Sequence, residues 1–285
     1  MKIAISLDSC SDLTDELIKQ FDFKVIPFNI QLGSRSVSDG ELKVEEIFKF
    51  VDDTGQLPKT AAINEYHYKE HFVKILNQGY DAVIHISLSS KISSTCSNAE
   101  RAAASIKNCY VVDSLSLSTG ISLSAIYCKS LIDQNLDLAE ILKKVRNRVK
   151  SVQASFVIEK VNYLYKGGRC SLISFLGANL LRIKPQIVLR DGVMVPGKKF
   201  RGPLSICLNK YVESTLQEFS HPDKEIIFIT YTSWNNQNEI EKTYARLKEY
   251  GFKTIYITRA HSTIATHCGA NCIGILYFND GNKIN

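Results

Sequence analysis

No stretch of this 285-residue sequence holds the ~20 consecutive apolar positions that a membrane-spanning helix needs. Basic charge is not gathered either. Lys and Arg number 35 against 29 Asp and Glu, a net charge of +6. They are scattered, without the basic stripe and interleaved aromatics of a nucleic-acid reader. G-x-G-x-x-G and G-x-x-x-x-G-K-[ST] are both missing, so dinucleotide and P-loop binding lose their usual support. The hydrolase elbow G-x-S-x-G is missing too. So is C-x-x-C: the eight cysteines read as reduced, mostly buried thiols. The opening "MKIAISLDSC" meets Asp8 too early for a secretory leader and reads as a buried first strand. A cytoplasmic protein is expected. There is no Pro- or Ser-rich linker, no internal repeat and no low-complexity tract.

What is present is ordinary globular material, 45% hydrophobic and 22% charged. It is enough for two domains or one large one. In the first half, "KIAISLD", "FKVIPFNIQL", "DAVIHISL" and "CYVVDS" are runs of strand length. Helical patterns lie at about 13–20, 44–52, 64–78, 92–107, 116–133 and 137–150. Such alternation predicts a mostly parallel sheet flanked by helices, with ligands beyond the carboxyl ends of its strands. Three of those ends are small and polar: "LDSCSDL" (7–13), "SLSSKISST" (87–95) and "VVDSLSLSTG" (111–120). After about residue 152 the pattern changes. Two short strands around an Asp191-Gly192 turn are followed by helices near 204–219, 235–250 and 261–268, with strands "EIIFITYT", "KTIYITR" and "CIGILYF" between and after them. The expected architecture is α/β and two-lobed. Residues 1–152 form an N-terminal α/β lobe, and residues 153–285 a C-terminal α+β lobe with a mixed or antiparallel sheet.

Several motifs carry candidate chemistry. "ISLSSKISSTCSNA" (86–99) gathers six serines and a threonine where a helix begins. Helix capping explains one of them; several also suit an anionic or polar group placed at the helix N-terminus. "HYKEH" (67–71) matches H-x-x-E-H, with two histidines one turn apart, but its surroundings read as a solvated helix face. "THCGANC" (266–272) offers His267, Cys268 and Cys272 without a second pair of ligands at finger-like spacing. In "YLYKGGRCS" (163–171) two glycines precede Arg169, which suits either a helix C-cap or a close approach to a ligand. Thr60, in the turn "LPKTAAINEY" (57–66), reads as a helix cap or a cleft residue.

Together these pieces resemble the DegV family nearly end to end. The segments are "DSCSDL" (8–13), "LPKTAA" (57–62), "ISLSSKISSTCSNA" (86–99), "VVDS" (111–114), "LYKGGRCS" (164–171), "LRIKPQIVLRDG" (181–192), "KKFRG" (198–202) and "THCGA" (266–270). The resemblance implies a protein without catalytic activity of its own that binds a long-chain fatty acid between its two lobes. It also implies an ATP-binding kinase as partner, to which the acyl carboxylate is presented for phosphorylation. No metal, other cofactor, nucleic acid or stable membrane insertion is implied. Carried over by position, Thr60 and Ser93 hydrogen-bond the carboxylate, with Ser94 and Thr95 in the same loop and His267 beside it. Arg169 lies near the mouth, and Arg201 docks the kinase. Two departures stand out. Ser93-Ser94-Thr95 replaces the family's usual Ser-Gly-Thr, and Cys268-Gly269-Ala270-Asn271 replaces a common Gly-Pro-Gly after the histidine. Two alternatives are a hydrolase or acyltransferase using Ser93 or Thr60 with His267 as base, and a binder of another apolar acid such as an isoprenoid or branched lipid.

Overall fold

A computed structural model describes residues 1–170, 183–234 and 236–281. The chain opens with β1 (Ile3–Asp8), a 3₁₀ turn (Ser9–Ser11), α1 (Asp15–Phe21), β2 (Lys24–Ile26), β3 (Asn29–Leu32) and β4 (Arg35–Ser38). It continues through α2 (Val44–Thr54), β5 (Lys59–Ala61), α3 (Glu65–Asn77), β6 (Ala82–Ser87), α4 (Thr95–Ala104) and β7 (Cys109–Asp113). Next come α5 (Thr119–Asp133), α6 (Leu138–Arg148), β8 (Val152–Val157), α7 (Asn162–Gly167), β9 (Ile183–Arg190) and β10 (Val193–Arg201). Last are α8 (Leu204–Glu218), β11 (Ile226–Tyr231), α9 (Gln237–Tyr250), β12 (Thr254–Arg259), α10 (Ser262–Cys268) and β13 (Ile273–Phe278). No helix among the described residues is long and apolar enough to cross a membrane.

The first sheet runs β2-β1-β6-β7, all parallel. β6 is buried along its whole length and β1 beyond its first residue, as strands covered on both faces must be. The second sheet is mixed, in the order β10-β9-β8-β13-β11-β12. Its β9–β10 hairpin turns at Asp191-Gly192, both at positive φ, the geometry an Asp-Gly pair favours. α5 packs against β1 and β6 of the first sheet and against β8, β11 and β13 of the second. Its all-round burial follows from that position between sheets. One apolar cluster therefore runs from Ile5 and Ile84 through Leu123 and Ile126 to Phe156 and Leu276.

Two strand expectations need correction. "FKVIPFNIQL" is not one strand: it divides around Pro27 into β2, at the edge of the parallel sheet, and β3, in a separate sheet. Proline has no N–H for a ladder, so the run breaks there. The segment expected as a turn at 57–66 contains β5, which pairs with β3 in the three-stranded antiparallel sheet β4-β3-β5. α10 packs on this small sheet, on α2 and on the Ser9–Ser11 turn. That contact brings residues near 60 and near 267 together.

Candidate functional site

The serine-rich loop is anchored from below. Asp8 ends β1 fully buried, and its carboxylate accepts from Leu88 N (2.8 Å), Ser87 Oγ (2.9 Å) and Tyr68 Oη (2.5 Å). Burial pushes its pKa up, but His85 at 3.4 Å and these donors more than offset that and leave it below the ordinary value. The loop is also tied to the second sheet, since Ser89 Oγ donates to Gly192 O of the hairpin (2.8 Å). The sequence placed Asp8 at a polar strand end and Ser87 in the serine-rich loop, but did not pair them. The available signal was a carboxylate at the end of an otherwise apolar strand.

At the loop's far end Ser93 Oγ accepts from Thr95 N (3.2 Å). Across the cleft, Thr60 Oγ1 and His267 Nε2 are 2.8 Å apart. Burial, with the Arg169 cation adding to it, pushes the His267 pKa down to about 4, so the ring is neutral at pH 7. With the neutral proton on Nε2, His267 donates to Thr60 and the threonine O–H is left to donate elsewhere. The ring packs against the Cα of Gly167, where a Cβ would lie 2.7 Å from Nδ1. Gly168 at φ +69° is the C-cap of α7, and Arg169 Nη1 donates to Gly167 O (2.6 Å). The C-cap reading thus holds at Gly168, while Gly167 makes room for the His267 ring.

These groups meet at one cavity of about 220 Å³. Thr60, Ser93, Ser94, Arg169 and His267 all line it. The rest of the wall is mostly apolar, with Phe28, Leu88, Ile92, Leu117, Met194 and Ile264 contributed from both sheets' surroundings. A smaller cavity behind it shares Leu117, Ile264 and Cys268. A wider groove of about 760 Å³ lies across β5, lined by Asn29, Gln31, Ser36, Ser38 and Lys59 beside Ile26, Pro27 and Ile63, and it shares Phe28, Thr60 and Ala62 with the cavity.

The remaining candidates fall elsewhere. Thr95 is fully buried away from the cavity lining, and its hydroxyl accepts from Ile63 N (3.0 Å). That bond locks α4 to the segment following β5, so the residue aligns Ser93 with Thr60 and does not contact the cavity. Arg201 is exposed at the end of β10, outside the lining. Ser94 occupies the N-cap position of α4 without a side-chain capping bond, and Thr60 caps nothing: Asn64 caps α3. On α3, Tyr66, His67 and Glu70 form the solvated face expected, while another face buries Tyr68, Phe72 and Ile75 and His71 turns inward to Ser6 Oγ at 2.8 Å. Among the described residues no three His, Cys, Asp or Glu side chains gather as metal ligands.

With this geometry in view, comparison with known proteins is decisive. Residues 2–280 match the model of a family described as uncharacterised, DegV. The chain belongs to the DegV family. A fatty acid-binding protein of Thermotoga maritima is 28% identical over 283 residues, covering 96% of each chain. A DegV lipid-binding protein structure from the same organism superimposes with a TM-score of 0.84 at 26% identity, covering 98% of this chain and 99% of that one. DegV of Bacillus subtilis, a fatty acid binding protein, gives 0.82 at 26% identity with the same coverage. Against the usual DegV pattern, Ser94 is exposed and needs no positive φ, so a side chain fits where glycine is common. Gly269 keeps its glycine for two reasons. Its φ is +74°, and a Cβ would lie 2.6 Å from the Tyr163 ring.

Proposed function

We propose that this chain binds a long-chain fatty acid in a tunnel between its two lobes, residues 1–152 and 153–285, and presents the carboxylate to an ATP-binding partner kinase. The observation that carries the reading is the state of two hydroxyls. Thr60 and Ser93 each have their oxygen beside a protein nitrogen at the polar end of an apolar cavity, and with the His267 proton on Nε2 each has an O–H to donate. A carboxylate accepts and cannot donate, so it is the complementary group. Each methylene taken out of water contributes about 0.8 kcal/mol. The tail thus sets affinity and the hydroxyls set orientation. Leu117, Ile264 and Cys268 line both cavities, so a tail that passes them reaches the smaller one.

Neutral donors hold the carboxylate without pairing it to a fixed cation, and its oxygen stays nucleophilic. That oxygen attacks the γ-phosphorus of ATP held by the partner; the new O–P bond gives an acyl phosphate and ADP leaves. Arg169 at the cavity mouth faces the charge that builds up, and Arg201 receives the partner. Such a protein works in the cytoplasm, where ATP is at hand, with the fatty acid as its only small-molecule ligand. The hydrolase alternative needs an acid to orient His267, whereas His267 Nδ1 is buried without a hydrogen-bond partner among the described residues.

The test is extraction of freshly purified protein with organic solvent, followed by mass spectrometry. About one equivalent of a long-chain fatty acid is expected. Empty protein that also fails to bind fluorescent fatty-acid analogues removes the reading. Turnover of a nitrophenyl ester that is abolished by Ser93→Ala replaces it with the hydrolase.

A further inference from the structure

We infer that Thr263 is a specificity-determining residue, and that the acid bound here carries an oxygen substituent, a hydroxyl for which 3-hydroxy acids are the model, within a few carbons of its carboxylate. The inference rests on the fatty-acid reading and narrows its substrate class.

Thr263 lines the cavity and is only 5% exposed. Its Oγ1 is buried with no hydrogen-bond partner. A threonine inside a helix commonly bonds back to a carbonyl of the preceding turn. Thr263 is the second residue of α10, where the preceding turn is not helical, and its hydroxyl makes no such bond. Burying an unpaired hydroxyl is unfavourable, and valine has almost the same shape without that penalty. A hydroxyl kept at such a position points to a partner that arrives with the ligand.

The fold fixes where along the ligand that partner lies. Thr263 and His267 are four residues apart on α10, on one face and about 6 Å apart along the axis, just over one helical turn. His267 Nε2 marks the carboxylate end through Thr60. Thr263 therefore meets the acyl chain just past its head. The backbone there is clamped: Thr263 N donates to Asp39 Oδ1 (3.1 Å), and Ser9 Oγ donates to Asp39 Oδ2 (2.7 Å) while accepting from Phe28 N (3.0 Å). Phe28 and Cys10 belong to the same cavity wall. Beside the Asp39 carboxylate a second carboxylate contact is poorly placed. An oxygen on the chain both donates to and accepts from the threonine.

The experiment uses the full chain, stripped of lipid, titrated with tetradecanoic acid and with 3-hydroxytetradecanoic acid. The quantity read is the ratio of the two affinities. The wild type should bind the hydroxy acid at least as tightly as the plain one. Thr263→Val should shift the ratio about tenfold toward the plain acid, the size of one lost buried hydrogen bond. Thr263→Ser, which keeps the hydroxyl, should restore it. An unchanged ratio in Thr263→Val overturns the inference, including the case in which the hydroxyl holds only a water. In that case the plain acid still binds and the fatty-acid reading survives. Failure of both acids to bind the wild type removes that reading and this one with it.

Discussion

Thr60 Oγ1 and His267 Nε2 stand 2.8 Å apart although 207 positions separate them in sequence, and this contact joins β5 to α10 at the polar end of the cavity. If the histidine donates and the threonine passes its proton to the ligand, the pair acts as a unit. Thr60→Val should weaken fatty-acid binding by about 0.5–1.5 kcal/mol, roughly two- to tenfold. His267→Ala should weaken it similarly, and the double variant should lose less than the sum of the two. Isothermal titration of the four proteins checks this. Strict additivity would show that the two side chains serve the ligand separately.

Ser93 and Thr95 differ in what they touch, and substitution should separate them. Ser93→Ala removes a donor from the cavity and should lower affinity severalfold, and losing the acceptor for Thr95 N–H at the start of α4 should cost about 0.5–2 kcal/mol of stability. Thr95→Val leaves the buried Ile63 N–H without its acceptor and should cost about 1–3 kcal/mol of folding free energy. Denaturant melts alongside binding titrations read both quantities. A Thr95→Val protein of wild-type stability would contradict the assigned role.

The dependence of stability on pH follows from three groups. Burial pushes His267 down to about 4 and, with the neighbouring His85 adding to it, His71 down to about 3. Between those values and 6.5 the unfolded chain binds protons that the folded chain does not, so both histidines make stability fall as pH drops. Asp12 works the other way. Burial pushes it up to about 7, so its contribution is present below pH 3.8 and is lost as pH rises to 7. The stability gained between pH 4.5 and pH 7 should therefore shrink in His267→Gln and grow in Asp12→Asn, measured by urea unfolding at both values. Opposite signs would mean that the buried charges are assigned wrongly.

Much of the fold was legible because burial leaves periodic marks. β1 and β6 are apolar because both their faces are covered, and the Asp191-Gly192 hairpin announces itself by its turn residues. The three-stranded sheet was hidden for the opposite reason. Its strands are three or four residues long, and β3 shows its alternation over only four positions, too few to tell from a loop. Within the site, local sequence named Thr60, Ser93, Arg169 and His267 only through family resemblance, since each also has an ordinary structural role. The anchoring role of Asp8 and the position of Thr263 were invisible. One acts through backbone N–H groups far along the chain, and the other differs from a core residue only by a hydroxyl whose lack of partners is a tertiary fact.

Holding the lipid and handing it over should separate at two arginines. Arg169 lines the cavity and is bound to the Gly167 carbonyl, beside the ring of His267. Arg201 lies outside the lining, exposed at the end of β10 next to Gly202, and no carboxylate pairs with it among the described residues. An exposed guanidinium keeps its charge and grips oxyanions or carboxylates bidentately, which suits a docking contact. Charge pairs of this kind at protein interfaces have coupling energies of about 1.5–7 kcal/mol. Arg201→Ala should therefore retain its bound fatty acid while phosphorylation by a cognate kinase falls at least about tenfold, corresponding to ~1.4 kcal/mol. Raising the variant's concentration should recover the rate, since a docking defect appears in KM before kcat. Arg169→Ala should lower both lipid retention and transfer, because its guanidinium closes the cavity mouth and faces the charge that builds up there. The readout is acyl phosphate formed from purified, lipid-loaded protein, ATP and a kinase from the same organism. Full activity of the Arg201 variant at low concentration would return that residue to the solvated surface and move the docking contact elsewhere.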